Sequence, residues 1–513
     1  MRERKVVWGV FAGLALVYLS MSPLSVMIMG YMPEYVLAAE QLIHNIGHLI
    51  GLNPTSTAIS FPRHGMIEVL FELPVVVIGN LLGGSWSDRL LSLEPVLATA
   101  GICALLFVWA RRVTESDRWA YTLTLVAAFS TMLWPYAYIG METTQSFFLM
   151  LTAYLVLGGH ARSKRRTLGV ALGAAVAVSV KVTGTFLVPA VAFLVYYYCR
   201  ARESGEDRPL WVKVNWTRFA AMGSVVIAVF LGNHYFQMRS AALVGWGGVV
   251  GLFKGFRTTP LAGALNVVSL LGSANKGLLV YCPVLLLALL ALPLAWKEDR
   301  RVVSFALLAL GGIVASMSTT FYWSDEVWGP RYLLATVAPL VLCLALAKRH
   351  VDFGWRRMIP LGVCAALGLG TTFLGVFFWY HSLHVAAMQS QQITIEELQY
   401  YPEWNPILFD GQLLRLWIED QVLGGDADQL WPPEGHTWWV PMGNGPPPPA
   451  FHPLQVRLRS FATPQPFLFS SWRRWQTKSD IICWLACCLS LAVGIALLIR
   501  TGLGAFGIRK TLR

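Results

Sequence analysis

Long apolar runs separated by short basic clusters set the rhythm of the chain. A helix crossing a bilayer needs about 20 predominantly apolar residues. Runs of that kind lie at about 6–28, 93–110, 119–137, 143–158, 219–236, 278–296, 359–379 and 481–499. The stretch 168–198 is interrupted by Lys181, Thr183–Gly184 and Pro189, which suits two crossings meeting at a turn. One further crossing leads out to FYWSDEVWGPR at 321–331, and another returns to Lys348–His350. The pattern therefore predicts an all-α polytopic membrane protein with about 12 transmembrane helices.

Loops rich in Lys and Arg stay on the cytoplasmic side. The clusters at 2–5, 111–118, 162–166, 200–218, 297–301 and 348–350, together with the C-terminal tail, all fall on one side if 66–84 does not cross. As a crossing, 66–84 would carry Glu68, Glu72 and Pro74, each central charge costing about 2.5–3.5 kcal/mol. It reads instead as a second surface helix. The first is at 34–50, where Val36, Leu37, Leu42, Ile43, Ile46, Leu49 and Ile50 recur at helical spacing and Glu34, Gln41, Asn45 and His48 take another face.

The expected organisation is a membrane region over 1–379 with its first outer loop at 30–92. A Trp- and Pro-rich outer segment follows over 380–479, and 480–513 holds the last crossing and a basic tail. Within the outer segment 413–423 suits a short helix and 443–449 an extended linker. Trp404, Trp431, Trp438, Trp439, Trp472 and Trp475 there suit an interfacial belt or a sugar platform, the belt being favoured.

Composition narrows the function classes. Only 13% of the 513 residues are charged and 56% are hydrophobic, far from a soluble domain. The net charge of +12 comes from topology clusters and implies no nucleic-acid partner. The eight cysteines lie in or beside apolar runs, which argues against a disulfide framework or a zinc site. The first apolar run lacks a convincing cleavage site and reads as an uncleaved crossing, with both termini cytoplasmic in a multi-pass plasma (inner) membrane.

Several stretches share one sidedness: PEYVLAA at 33–39, PRHGMIEVLFELP at 62–74, WPYAYIGMET at 134–143, SVKVTG at 179–184, SANKGLLVYCPVLLL at 273–287 and WGPRYLL at 328–334. Their order resembles the GT-C glycosyltransferases, in particular bacterial members of the dolichyl-phosphate-mannose-protein mannosyltransferase (family 39) and aminoarabinose-transferase type. The resemblance implies transfer of a sugar from a polyprenyl-phosphate donor to a glycan, lipid or protein acceptor on the outer face, with inversion at the anomeric carbon. It also implies an Asp-Glu pair before the first-loop helix, where this chain has Tyr31 and Met32. Glu34 is the nearest replacement, with Glu40 and Glu68 as further candidates.

Such a transfer needs a carboxylate to take the acceptor proton and cations to hold the leaving phosphate. Glu34 is the candidate base, and its alternative reading is a helix N-terminal acid facing the macrodipole. Lys181, Lys276 and Arg331 are candidate phosphate ligands, because all three lie where outer turns meet crossings; headgroup snorkelling is the alternative. Arg331 can grip two phosphate oxygens at once. Supporting candidates are His64, Glu68, Glu142, Asp325 and Glu326. Asp325 and Glu326 suit pairing with Arg331, a divalent ion or sugar hydroxyls, and the pairing is favoured; Glu142 suits a helix cap. No firm cofactor and no dedicated metal ligands are read, although a divalent cation is compatible with the chemistry. The competing readings are a transporter or lipid flippase, and a non-catalytic subunit of the same fold.

Overall fold

The computed structural model describes residues 2–23, 32–49, 65–83, 90, 93–138, 140–159, 163–200, 214–238, 259–319, 328–350, 355–378, 382–390, 404–425, 429–431, 456–470 and 478–507. The longer helices are α1 (Arg2–Ser20), α2 (Met32–Leu49), α3 (Ile67–Leu82), α4 (Leu93–Thr114), α5 (Asp117–Phe129), α6 (Gly140–Leu157), α7 (Lys164–Ser179), α8 (Val188–Cys199) and α9 (Trp216–Met238). They continue with α10 (Pro260–Gly272), α11 (Val284–Glu298), α12 (Arg300–Ser318), α13 (Leu334–Ala347), α14 (Trp355–Phe377), α15 (Ser382–Ser390), α16 (Pro406–Gln421) and α17 (Lys478–Ala505). Among the described residues five helices are long and apolar enough to cross a membrane: α4, α9, α12, α14 and α17. Large apolar side chains stand exposed on several of them, including Leu231, Leu367 and Leu489, the surface expected of helices in lipid.

Basic residues of three of the clusters tie helix ends together. Arg112 donates to the Gly158 carbonyl, Arg118 to that of Phe506, Lys348 to that of Thr114, and Arg301 to the Tyr197 hydroxyl. These bonds tie the ends of helices that are distant in sequence. The first three also satisfy carbonyls at helix C-terminal ends, which lack partners within the helix. Residues of the clusters at 111–118, 297–301 and 348–350 thus each meet the end of another helix.

The first and last long helices pack directly on each other, α1 against α17. A Cβ on Gly494 would come within 3.0 Å of the Gly13 carbonyl oxygen and of the Val17 nitrogen, so small residues set the approach, as in membrane helix pairs. Tyr121 on α5 closes the group by donating to the Leu498 carbonyl at 2.6 Å.

Three local expectations change. The crossing expected at 119–137 stops at Phe129 and resumes as a short turn at Leu133–Tyr136. The backbone there is held from α14, where Thr372 donates to the Phe129 carbonyl at 2.6 Å. The stretch before Lys276, read as loop, contains α10, pinned by Asn266 donating to the Ser318 carbonyl at 2.8 Å. Finally, Trp404 and Trp431 are not belt residues. With Phe409, Leu413, Leu416, Val456 and Leu458 they form a separate core of the outer segment, closed by a two-stranded sheet of β1 (Leu430–Trp431) and β2 (Val456–Arg457). That core sits on Phe377 and Phe378 at the end of α14. Both tryptophans are almost fully buried because aromatic area is the main apolar stock of this segment. Trp438, Trp439, Trp472 and Trp475 lie outside the described residues.

Candidate functional site

The opposite end of the bundle collects α3, the starts of α4 and α6, the turn after α7 and the segment before α13. Helix α3 arrives there because its polarity is inverted. Glu68, Val69, Glu72, Val75, Val76 and Gly79 are buried, while Leu70, Ile78, Leu81 and Leu82 stand exposed. Its 16 residues span about 24 Å, short of a hydrocarbon core of about 30 Å, in keeping with a helix on the bundle's edge. Phe71 packs on Phe148 of α6 with ring centroids 5.3 Å apart.

The start of α3 is capped from afar. Asn233 Oδ1 accepts from the Met66 and Ile67 amides at 2.8 and 3.1 Å, and Asn233 Nδ2 donates to the Ser179 carbonyl at 2.6 Å. One side chain on α9 thus fixes both α3 and the end of α7. Gly65 is required before the cap, since its φ is +89° and a Cβ would lie 2.3 Å from Asn233 Oδ1. Gly184 has a similar role in the next turn, where a Cβ would lie 2.5 Å from the Val178 carbonyl oxygen. That close turn carries Lys181 inward.

Lys181 is only 1% exposed and donates to Glu142 Oε1, an ion pair between the turn after α7 and the first turn of α6. Arg331 Nε lies 3.5 Å from the same oxygen, close enough for an ion pair but without hydrogen-bond geometry. The Tyr332 ring joins them: Lys181 Nζ sits 4.8 Å and Arg331 Cζ 4.9 Å from its centroid, and Arg331 Nη2 donates to the hydroxyl at 3.0 Å. Two cations thus converge on one carboxylate in a desolvated place. A buried ammonium is also no snorkelling side chain, so that alternative does not hold for Lys181.

Beside this group lie three more acids. Carboxylate oxygens of Glu68, Glu72 and Glu94 fall within 4.8 Å of one another. Glu68 and Glu72 are one helical turn apart on α3, and Glu94 is in the first turn of α4. Burial holds Glu68 and Glu72 well above the usual carboxylate range. The Glu94 charge adds to both, and Glu72 and Glu142 raise Glu68 further. Thr144 lies beside Glu68 as well, but its single hydroxyl proton goes to Glu94 Oε1.

The segments bearing Lys276 and Arg331 are neighbours. Tyr281 stacks edge-on against Trp328 at 5.3 Å, and the Trp328 carbonyl accepts from Tyr136 at 2.7 Å. Lys276 is buried on its turn, with its backbone amide donating to Ser273 Oγ at 3.0 Å. The turn is tied to the outer segment by Asn405 donating to the Ala274 carbonyl at 2.8 Å.

Of the residues singled out in the sequence, Glu142, Lys181 and Arg331 meet directly and Glu68 stands next to them. Glu34 lies on α2, which packs against α3, but its side chain lies outside the described residues, as do His64, Asp325, Glu326, Tyr31 and the side chain of Met32. Among the described residues Arg331 faces Glu142, and Glu142 is an ion-pair residue as well as a first-turn acid. Glu40 is exposed. Sequence reasoning missed Glu94 and Tyr332 altogether and treated Glu72 only as an obstacle to crossing. The one available signal was the i, i+4 spacing of Glu68 and Glu72 on an otherwise apolar stretch.

No family model matches the chain, and no curated protein does. Among solved structures the chain is similar to the crystal structure of ArnT from Cupriavidus metallidurans bound to undecaprenyl phosphate. The identity is 16% and the TM-score 0.45, over 97% of this chain and 77% of that one.

Proposed function

We propose that the protein is a GT-C-like membrane glycosyltransferase that moves a sugar from a polyprenyl-phosphate carrier to a glycan, lipid or protein acceptor on the outer face. The observation that carries this reading is the buried group of Lys181, Glu142 and Arg331 at the bundle end opposite the basic clusters. Lys181 and Arg331 both face the Glu142 carboxylate, which fixes their two positively charged groups in place in a dry site. Such charges stabilise a phosphate as the glycosidic bond breaks and cost no reorganisation at that moment. Lys181 and Arg331 hold the leaving phosphate, with Lys276 on the adjoining turn as a third ligand. Glu142 fixes the direction of both side chains, and Glu68 adjoins them.

Glu34 takes the acceptor hydroxyl proton, with His64, Asp325 and Glu326 supporting donor or acceptor. The lipid bilayer holds the prenyl chain. Positive-inside sidedness places the site outside the cell membrane and both termini within.

The test incubates purified protein with a panel of radiolabelled polyprenyl-phosphate sugars and membrane extract, comparing wild type with Glu34→Gln. Transfer by the wild type and its loss in the variant support the assignment. Transfer that survives the substitution removes Glu34 as the base, and no transfer from any donor removes the enzyme reading.

A further inference from the structure

Three carboxylates on two helices converge at the bundle end, and the described residues supply them with a single hydrogen-bond donor. Both oxygens of Glu68, both of Glu72 and Oε2 of Glu94 are buried without a hydrogen-bond donor among the described residues. Glu68 is 1% and Glu72 0% exposed. The only donor among the described residues is the Thr144 hydroxyl, which holds Glu94 Oε1 and leaves the other oxygen for the group. Buried polar atoms are ordinarily satisfied, and an unsatisfied carboxylate is among the costliest groups to bury.

The local charges point the same way. The described residues bring four carboxylates together here, Glu68, Glu72, Glu94 and Glu142, against the two cations Lys181 and Arg331. The Glu142 carboxylate is engaged by both cations, and among the described residues no ion pair is found for the other three. Three oxygens within 4.8 Å of one another can close on one ion by small side-chain rotations.

We propose that Glu68, Glu72 and Glu94 bind one divalent cation of the oxygen-preferring class, Mg2+, Mn2+ or Ca2+. An all-carboxylate donor set selects hard cations over zinc or copper. Three protein oxygens leave about half of an octahedral shell for water or for a ligand oxygen. The i, i+4 pair supplies two ligands from one helix face and Glu94 the third, so the ion also clamps α3 to α4. The proposal stands apart from the transferase reading, because it concerns binding without donor or acceptor.

The probe is Mn2+ itself. Full-length protein in phosphatidylcholine nanodiscs, first stripped with chelator, is titrated while the free ion is read by electron paramagnetic resonance. The expected result is one saturable site per chain that Mg2+ or Ca2+ displaces. Glu72→Gln and Glu94→Gln each weaken it at least tenfold, and Glu115→Gln, at an exposed acid remote from the cluster, leaves it unchanged. Glu72→Asp and Glu94→Asp keep the charge and serve where the glutamine variants do not fold; they too weaken binding by withdrawing an oxygen. No saturable site in the wild type, or equal binding in the folded variants, overturns the proposal.

Discussion

Lys181→Met removes the ammonium of a nearly fully buried lysine while keeping most of its apolar stem. Among the described residues Glu142 then retains only Arg331, whose Nε is 3.5 Å from Oε1 and poorly aligned. Breaking a buried pair by deleting one partner typically costs about 3–5 kcal/mol, because the surviving charge stays desolvated. Arg331 compensates in part, so the lower end, about 3 kcal/mol, is expected. Glu142→Gln in the Lys181→Met background removes the stranded charge and restores much of the loss. The assay is a double-mutant cycle on unfolding in nanodiscs, followed by tryptophan fluorescence. Two small, additive effects, each under about 1 kcal/mol as for an exposed pair, would refute the buried-pair argument.

Two further outcomes follow from the same contacts. Asn233→Ala removes the acceptor that caps α3, at a cost of about 1 kcal/mol, and hydrogen exchange should speed up selectively at Met66 and Ile67; Asn233→Asp, which retains an acceptor, should protect them better. Asp410 in the outer core is held well above the usual range by burial. Its neutral form is favoured in the fold, so its contribution is complete below the unfolded value of about 4 and is lost as pH rises towards the raised folded value. Asp410→Asn should therefore be more stable than wild type at neutral pH and should flatten the pH dependence of melting above about pH 4.

Much of the helical layout was legible because lipid imposes one strong rule, an apolar run per crossing, and because charge marks the loops. The turn carrying Lys181 and the placement of Arg331 away from the basic clusters could be read for the same reason. What could not be read depends on partners distant in sequence. Glu94 looks like an ordinary first-turn acid until α3 brings Glu68 and Glu72 beside it. Tyr332 gains meaning only when Lys181 arrives from the turn after α7. Two of the outer tryptophans, Trp404 and Trp431, were misplaced because an aromatic in a polar segment has the same local signature on a lipid belt as in a small core. Trp404 and Trp431 have the second role because Phe409 and the short sheet cover them.

The central claim is that Arg331 and Lys181 hold a leaving phosphate. It is tested most directly by initial transfer rates from a polyprenyl-phosphate sugar that the wild type uses, measured beside Arg331→Gln at matched folding and donor concentration. A fall of about 100-fold or more, the usual effect of removing one preorganised group that stabilises transition-state charge, is the predicted result. An unchanged rate in a folded Arg331→Gln variant would contradict the account.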